Sequence, residues 1–188
     1  MIVNSIPLGR SVRGLAAGLV LSLSAAVAAL AEVRGIDPFV GSYSGSAELV
    51  LADGTTQKRD LGVEIAQTYG GFSVTWSTIT FRPDGRTKER SYKILFEPTG
   101  EAGLFAADKR KDMFGHDVQL DPMKGEPLVW GQLSGDTLTV YAIFVDLTGG
   151  YEIQQYDRTL ADGGLQLEFS NFRNGAEQRS LSSFLKRQ

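Results

Sequence analysis

A single histidine and no cysteine narrow the chemistry open to this 188-residue chain before any fold is considered. Without thiols there is no disulfide, no thiolate metal site and no cysteine nucleophile. Any serine–histidine–aspartate arrangement must use His116. That residue stands among Asp112, Asp117 and Asp121, with Met113 and Met123 close by. A histidine and a methionine are what an axial haem pair needs, but a lone histidine in an irregular stretch reads as a solvated or capping residue. Zinc wants three or four ligands at set distances, of which this cluster supplies one nitrogen. The aspartates also lack the spacing of a calcium loop. We expect no metal and no cofactor.

Catalysis fares little better. Neither a G-x-S-x-G elbow nor a G-x-x-x-x-G-K phosphate loop is present. Glu152 with Asp157 or Glu168 would be an acid and base pair for a hydrolase or isomerase if they met across a cavity. Glu152 and Glu168, however, fall on the polar side of their segments, which points them outward into solvent. No catalytic residue is assigned, and binding without chemistry is the stronger expectation. The side chains suited to binding are aromatic: Trp76, Phe81, Tyr92, Phe96, Tyr151 and Phe169 are expected on inward faces as apolar walls. Tyrosine hydroxyls among them are available to orient a polar end.

The elements that would position these rings are strands. Turn signals recur about every ten residues, from Asp53-Gly54 and Gly70-Gly71 through Ser134-Gly135-Asp136 and Gly149-Gly150 to Gly163-Gly164 and Asn174-Gly175. Between them the apolar residues alternate. Tyr43, Gly45, Ala47 and Leu49 share one face while Ser42, Ser44, Ser46 and Glu48 share the other. Leu61, Val63 and Ile65 repeat the pattern, as do Leu165, Leu167 and Phe169. Phe72, Val74 and Trp76 begin a strand whose apolar phase then shifts to Ile79 and Phe81, which predicts a β-bulge near Ser77 or Thr78. Leu138 to Val145 turns apolar on both faces, so part of it needs a cover or a partner. Lys109 to Pro127 breaks the rhythm and reads as either a binding loop or a plain connection.

No long amphipathic helix is expected after Ala31, so the fold class is all-β. Strands joined to their neighbours in sequence leave two exposed edges unless the sheet curls shut. We therefore expect an antiparallel up-and-down barrel of about 8–10 strands, with a two-sheet sandwich as the alternative. Gly41-Ser42-Tyr43-Ser44-Gly45 at the first long strand resembles the G-x-W-x-G opening of the calycin group, which includes lipocalins, fatty-acid-binding proteins and nitrobindin-like haem barrels. Tyr43 replaces the usual tryptophan. The resemblance implies a barrel plugged at one end by this aromatic, with a ligand cavity at the other. It also implies an arginine of the last strand packing on the ring, for which Arg179 is the nearest by position. The late iron-binding histidine of the haem barrels has no counterpart, since none follows His116.

The N-terminus carries Arg10 and Arg13, no acidic residue through Ala31, and an apolar run from Leu15 to Leu30. This is the pattern of a signal peptide helix, with Ala29-Leu30-Ala31 as the cleavage site, leaving residues 32–188 as one domain in the periplasm or outside the cell. The run is short for a membrane span. Cleavage removes two of the 19 basic residues and none of the 22 acidic ones, taking the net charge from −3 to about −5. That balance disfavours nucleic acid, and Lys109-Arg110-Lys111 between two aspartates reads as a solvated loop. The expected partner is a small apolar or amphipathic molecule. A protein of the cell envelope, or a second copy of the chain on the doubly apolar strand, is the alternative.

Overall fold

Tight reversals set the rhythm of the chain. Gly135, with φ 56°, and Gly163, with φ 75°, sit in two-residue connections where a side chain would strain the backbone. A computed structural model describes residues 35–107, 110–111, 117–118 and 120–188. The expected signal segment with its cleavage point after Ala31, and His116 with Asp112 and Met113, lie outside the described residues. After a short 3-10 turn at Asp37–Phe39 come β1 (Gly41–Leu51), β2 (Thr56–Thr68), β3 (Gly71–Phe81), β4 (Thr87–Pro98) and β5 (Leu104–Ala107). A two-residue pair, β6 (Arg110–Lys111) and β7 (Asp117–Val118), and a second 3-10 turn at Pro122–Lys124 lead to β8 (Leu128–Ser134). The chain finishes with β9 (Thr137–Val145), β10 (Tyr151–Ala161), β11 (Gly164–Arg173) and β12 (Ala176–Arg187).

Ten of these strands form a closed antiparallel barrel in the order β1-β12-β11-β10-β9-β8-β5-β4-β3-β2, and β6 pairs with β7 apart from it. Closure rests on β1 meeting β12, with Tyr43 opposite Arg187 and Leu51 opposite Arg179. This pairing excludes the sandwich and leaves neither terminal strand with a bare edge. Gly45 permits the close approach, because a Cβ there would lie 2.6 Å from the Phe184 carbonyl oxygen on β12.

Alternation puts one set of side chains inside, and the larger ones gather at one end. Phe39, Tyr43, Ile65, Phe72, Phe96, Leu138, Leu165 and Leu185 are all buried there. Phe72 stacks on Phe96 with ring centroids 5.0 Å apart, and Phe105 meets Phe72 edge-on at 4.9 Å. The 3-10 turn closes the barrel beneath them. Tyr43 donates its hydroxyl proton to the Phe39 carbonyl at 2.7 Å. The Arg187 guanidinium lies 4.9 Å from the Tyr43 ring centroid and donates to the carbonyls of Val40, at 2.6 Å, and Pro38, at 2.8 Å. The arginine packed on the first-strand aromatic is thus Arg187 and not Arg179. The β1–β12 register carries Arg179 to the far end, opposite Leu51.

The bulge expected near Ser77 or Thr78 is absent. Pairing runs unbroken along both edges of β3, with Trp76 opposite Val63 and Tyr92, and Thr78 opposite Leu61 and Arg90. The phase shift has another cause: Ile79 and Phe81 leave the interior, and Phe81 lies on the outer face with the Lys58 ammonium 5.3 Å from its ring centroid. The sheet's register shift falls instead between Asn171 and Phe172, which pair with Arg179 and Glu177 and leave Gln178 unmatched. On the outer face of β9, Tyr141 stacks on Trp130 of β8 at 4.8 Å.

Because Arg187 ties the last strand to both the ring of Tyr43 and the turn before β1, Arg187→Ala should lower stability by about 1–3 kcal/mol in urea unfolding. Tyr43→Phe, which loses only the hydroxyl bond, should cost about 1 kcal/mol.

Candidate functional site

Above the plug the barrel is hollow. A cavity of about 480 Å³ is walled by apolar side chains, among them Leu61, Val63, Val140, Leu167 and Leu181, and Ala142 keeps it wide. Aromatic rings reach into it from opposite walls. Trp76 on β3 and Tyr156 on β10, five strands apart around the barrel, approach to 5.8 Å between centroids. Tyr92 flanks Trp76 at 5.7 Å and Phe169 flanks Tyr156 at 4.6 Å. Burial raises the Tyr156 hydroxyl above its ordinary pKa, so it remains a donor at neutral pH, and it reaches the Gln154 side-chain oxygen at 3.0 Å.

Among the described residues, β4 is paired over only a short length on its second side. Its partner β5 pairs only with Phe96–Pro98, close to the plug, while β3 accompanies β4 along most of its length. Tyr92 faces inward yet is 49% exposed, because among the described residues no strand covers β4 at that height on its second side. Pro127, just before β8, also lines the cavity.

The ionisable groups of the lining are Arg59, Arg90, Arg158, Arg179 and Lys93 together with tyrosines, and no carboxylate is among them. Three of the arginines stand near the mouth. Arg179 donates to Glu152 at 3.2 Å and to Asn171, whose amide in turn donates to Glu152 at 2.7 Å. Burial alone would raise the Glu152 pKa, but hydrogen bonds from Gln154 and Asn171 and the charges of Arg179 and Arg173 outweigh it and hold the carboxyl below its usual value. Arg59 donates to Gln57 at 2.8 Å, and its pKa is lowered by burial and then by the charges of Arg179 and Arg90.

Arg158 is different. It stands on β10 opposite Leu138 and Leu167, at the cavity floor, and is 1% exposed. Its guanidinium lies 5.5 Å from the Tyr156 ring centroid. Its Nε and Nη1 have no hydrogen-bond partner among the described residues. Burial pushes its pKa down to about 10, against smaller opposing effects of Tyr156 and Asp157. A cation at the foot of an apolar chamber makes the site amphipathic in its own right.

Of the six aromatics singled out from the sequence, Trp76, Tyr92 and Phe169 meet at this cavity. Phe96 also faces inward but belongs to the plug, against Phe72. Phe81 and Tyr151 are on the outside, the latter paired with Val145 and 41% exposed. Tyr156 and the arginines were missed. A signal for them existed: the two-residue reversal at Asp162-Gly163 pairs Leu160 with Leu165, which fixes Arg158 opposite the inward Leu167 and Tyr156 opposite the inward Phe169. Glu152, expected outside, faces in toward Arg179, since it shares the face of Gln154 and Tyr156. Asp157 and Glu168 are opposite each other on the outer face, bonded to Thr139 at 2.6 Å and Ser182 at 2.7 Å respectively. These three carboxylates therefore do not converge as an acid and base pair.

No family model matches the chain, and no curated protein matches it. Among solved structures it is similar to the S-type phycobiliprotein lyase CPES from Guillardia theta, with a TM-score of 0.38 and 9% identity, over 81% of this chain and 90% of that one.

An unpaired cation held out of water opposes folding. Arg158→Met, which keeps the aliphatic length and removes the charge, should stabilise the ligand-free protein by about 1–4 kcal/mol, read as a higher urea midpoint. A lower midpoint would mean that the guanidinium is already compensated in the empty barrel.

Proposed function

We propose that this chain is an exported binding protein that carries a small apolar or amphipathic molecule in its barrel without transforming it. The observation that carries the reading is the cavity of about 480 Å³, a size suited to one small organic molecule, with aromatic and aliphatic walls and few polar groups. Trp76, Tyr92, Tyr156 and Phe169 are the contacts we assign to the ligand's apolar body. A packed interior would have served stability better than a hollow one, because an empty volume forfeits contacts on every side. Export rests on the sequence from Arg10 to Ala31, and the mature protein on this reading begins at Glu32.

Two measurements test it. Protein purified under native conditions from the periplasm or medium should have an N-terminus at Glu32, and organic extraction should release one small molecule per chain. N-phenyl-1-naphthylamine, an uncharged apolar dye, should bind one to one with enhanced fluorescence. Ala142→Trp, which places an indole in the chamber, should weaken that binding by at least about tenfold while the β-sheet circular dichroism is kept. Dye binding unaffected by the indole would locate the dye elsewhere and remove the support for a carrier.

A further inference from the structure

We infer that the ligand is an acid, and that it enters head first, with its carboxylate or comparable oxyanion on Arg158 at the floor and its apolar body rising toward the mouth. This rests on the binding reading above and adds the chemistry and the orientation of what is bound. Four arginines line the cavity, and the assignment to one of them follows from what each already has. Arg179 is satisfied by Glu152 and Asn171. Arg59 has Gln57 on its Nη2 and keeps only its Nε without a partner, on a side chain that is half-buried and not sealed from water, and Arg90 belongs to a strand segment whose residues are exposed, where water solvates the charge. Arg158 has neither a carboxylate in the lining nor water-exposed surface, and two of its nitrogens are unpartnered among the described residues.

A buried guanidinium in that condition gains more from an incoming oxyanion than a solvated one does. Its planar fork matches two oxygens at once, and the low dielectric of the apolar walls strengthens the pair. Depth gives the orientation. Arg158 is four residues farther along β10 than Gln154, which pairs with Asn171 and, through it, lies level with Arg179. At about 3.3 Å per residue the floor cation is roughly 13 Å along the strand from the mouth. An acid seated on Arg158 therefore carries its apolar portion past Tyr156, Trp76 and Phe169. The mouth arginines draw an anion toward the opening without holding it.

The test uses two dyes with the same ring system, 8-anilinonaphthalene-1-sulfonate and its uncharged counterpart N-phenyl-1-naphthylamine. The wild-type protein should prefer the sulfonate by about tenfold or more, the value of one charged hydrogen-bonded pair. Arg158→Met should abolish the preference and leave the neutral dye's affinity within about threefold, whereas Arg59→Gln and Arg90→Gln should keep the preference. On wild-type protein alone, dodecanoate should displace the neutral dye at a concentration about tenfold or more below that needed with dodecanol, which needs no variant to fold. The inference is overturned if the preference persists in Arg158→Met, if it disappears in Arg59→Gln or Arg90→Gln instead, or if the alcohol competes as well as the acid. Failure of both dyes to bind would instead strike the carrier reading itself.

Discussion

The structure depends on the first strand finding the last. Until β1 pairs with β12 there is a curled ribbon with two open edges and an apolar face that water still reaches. Once the pair forms, every inward side chain shares one enclosed space. Tyr43 and Arg187 sit at that seam, on opposite strands, and together with Phe39 they turn one end of the space into a solid plug. The Arg187 hydrogen bonds join residues 147 and 149 positions apart, so the contact brings a large loop-closure cost that local hairpins do not carry. Its cation–π geometry and hydrogen bonds to the Pro38 and Val40 carbonyls help to offset that cost where the register must be exact to one residue.

Plug and chamber are built from the same strands and differ in depth. Going up β4, Phe96 packs in the plug, Ile94 and Tyr92 line the chamber and Arg90 reaches the mouth. Along β10 the corresponding series is Leu160, Arg158, Tyr156 and Gln154, so this one wall carries its polar groups deeper than the others. The result is a gradient from grease to charge that is steep on most walls and inverted at Arg158. A chain of net charge −3 thereby presents a cationic lining.

Much of this was legible in the sequence, and the parts that were not share one cause. Turn residues gave the hairpins, and alternation gave the inner faces of β1, β2 and β11, because each strand there obeys apolar-inside along its length. Alternation reports a face and is silent on depth. Phe96 and Phe169 look alike by period, yet one belongs to the plug and the other to the chamber, and only strand register distinguishes them. The rule also fails where its premise fails. Near the mouth, Thr78 faces in and Phe81 faces out under Lys58, so the apolar phase mimics a bulge that the backbone does not make. On β10 the inner face reads as Glu152, Gln154, Tyr156 and Arg158, a series that resembles a wet surface. Choosing Arg179 over Arg187 as the partner of Tyr43 was a register error of the same kind.

Where a sequence breaks its own local rule and leaves donors without hydrogen-bond partners, as Arg158 does despite its contact with the Tyr156 ring, function is a natural reason for the breach. Most inner positions around Arg158 follow the rule: Leu138, Val140, Leu165 and Leu167 surround it in the sheet, and any of their types would pack there without a desolvated charge. A leucine at 158 would extend the plug by one layer and shorten the chamber from below. The arginine instead holds a long side chain at the base of the chamber with donors left over. Stability and cavity chemistry pull in opposite directions at this residue, while at Tyr43 and Arg187 they pull together. The two arginines, one on each side of the plug, thus do different work: one fastens the barrel shut, and the other keeps its interior from being merely a core.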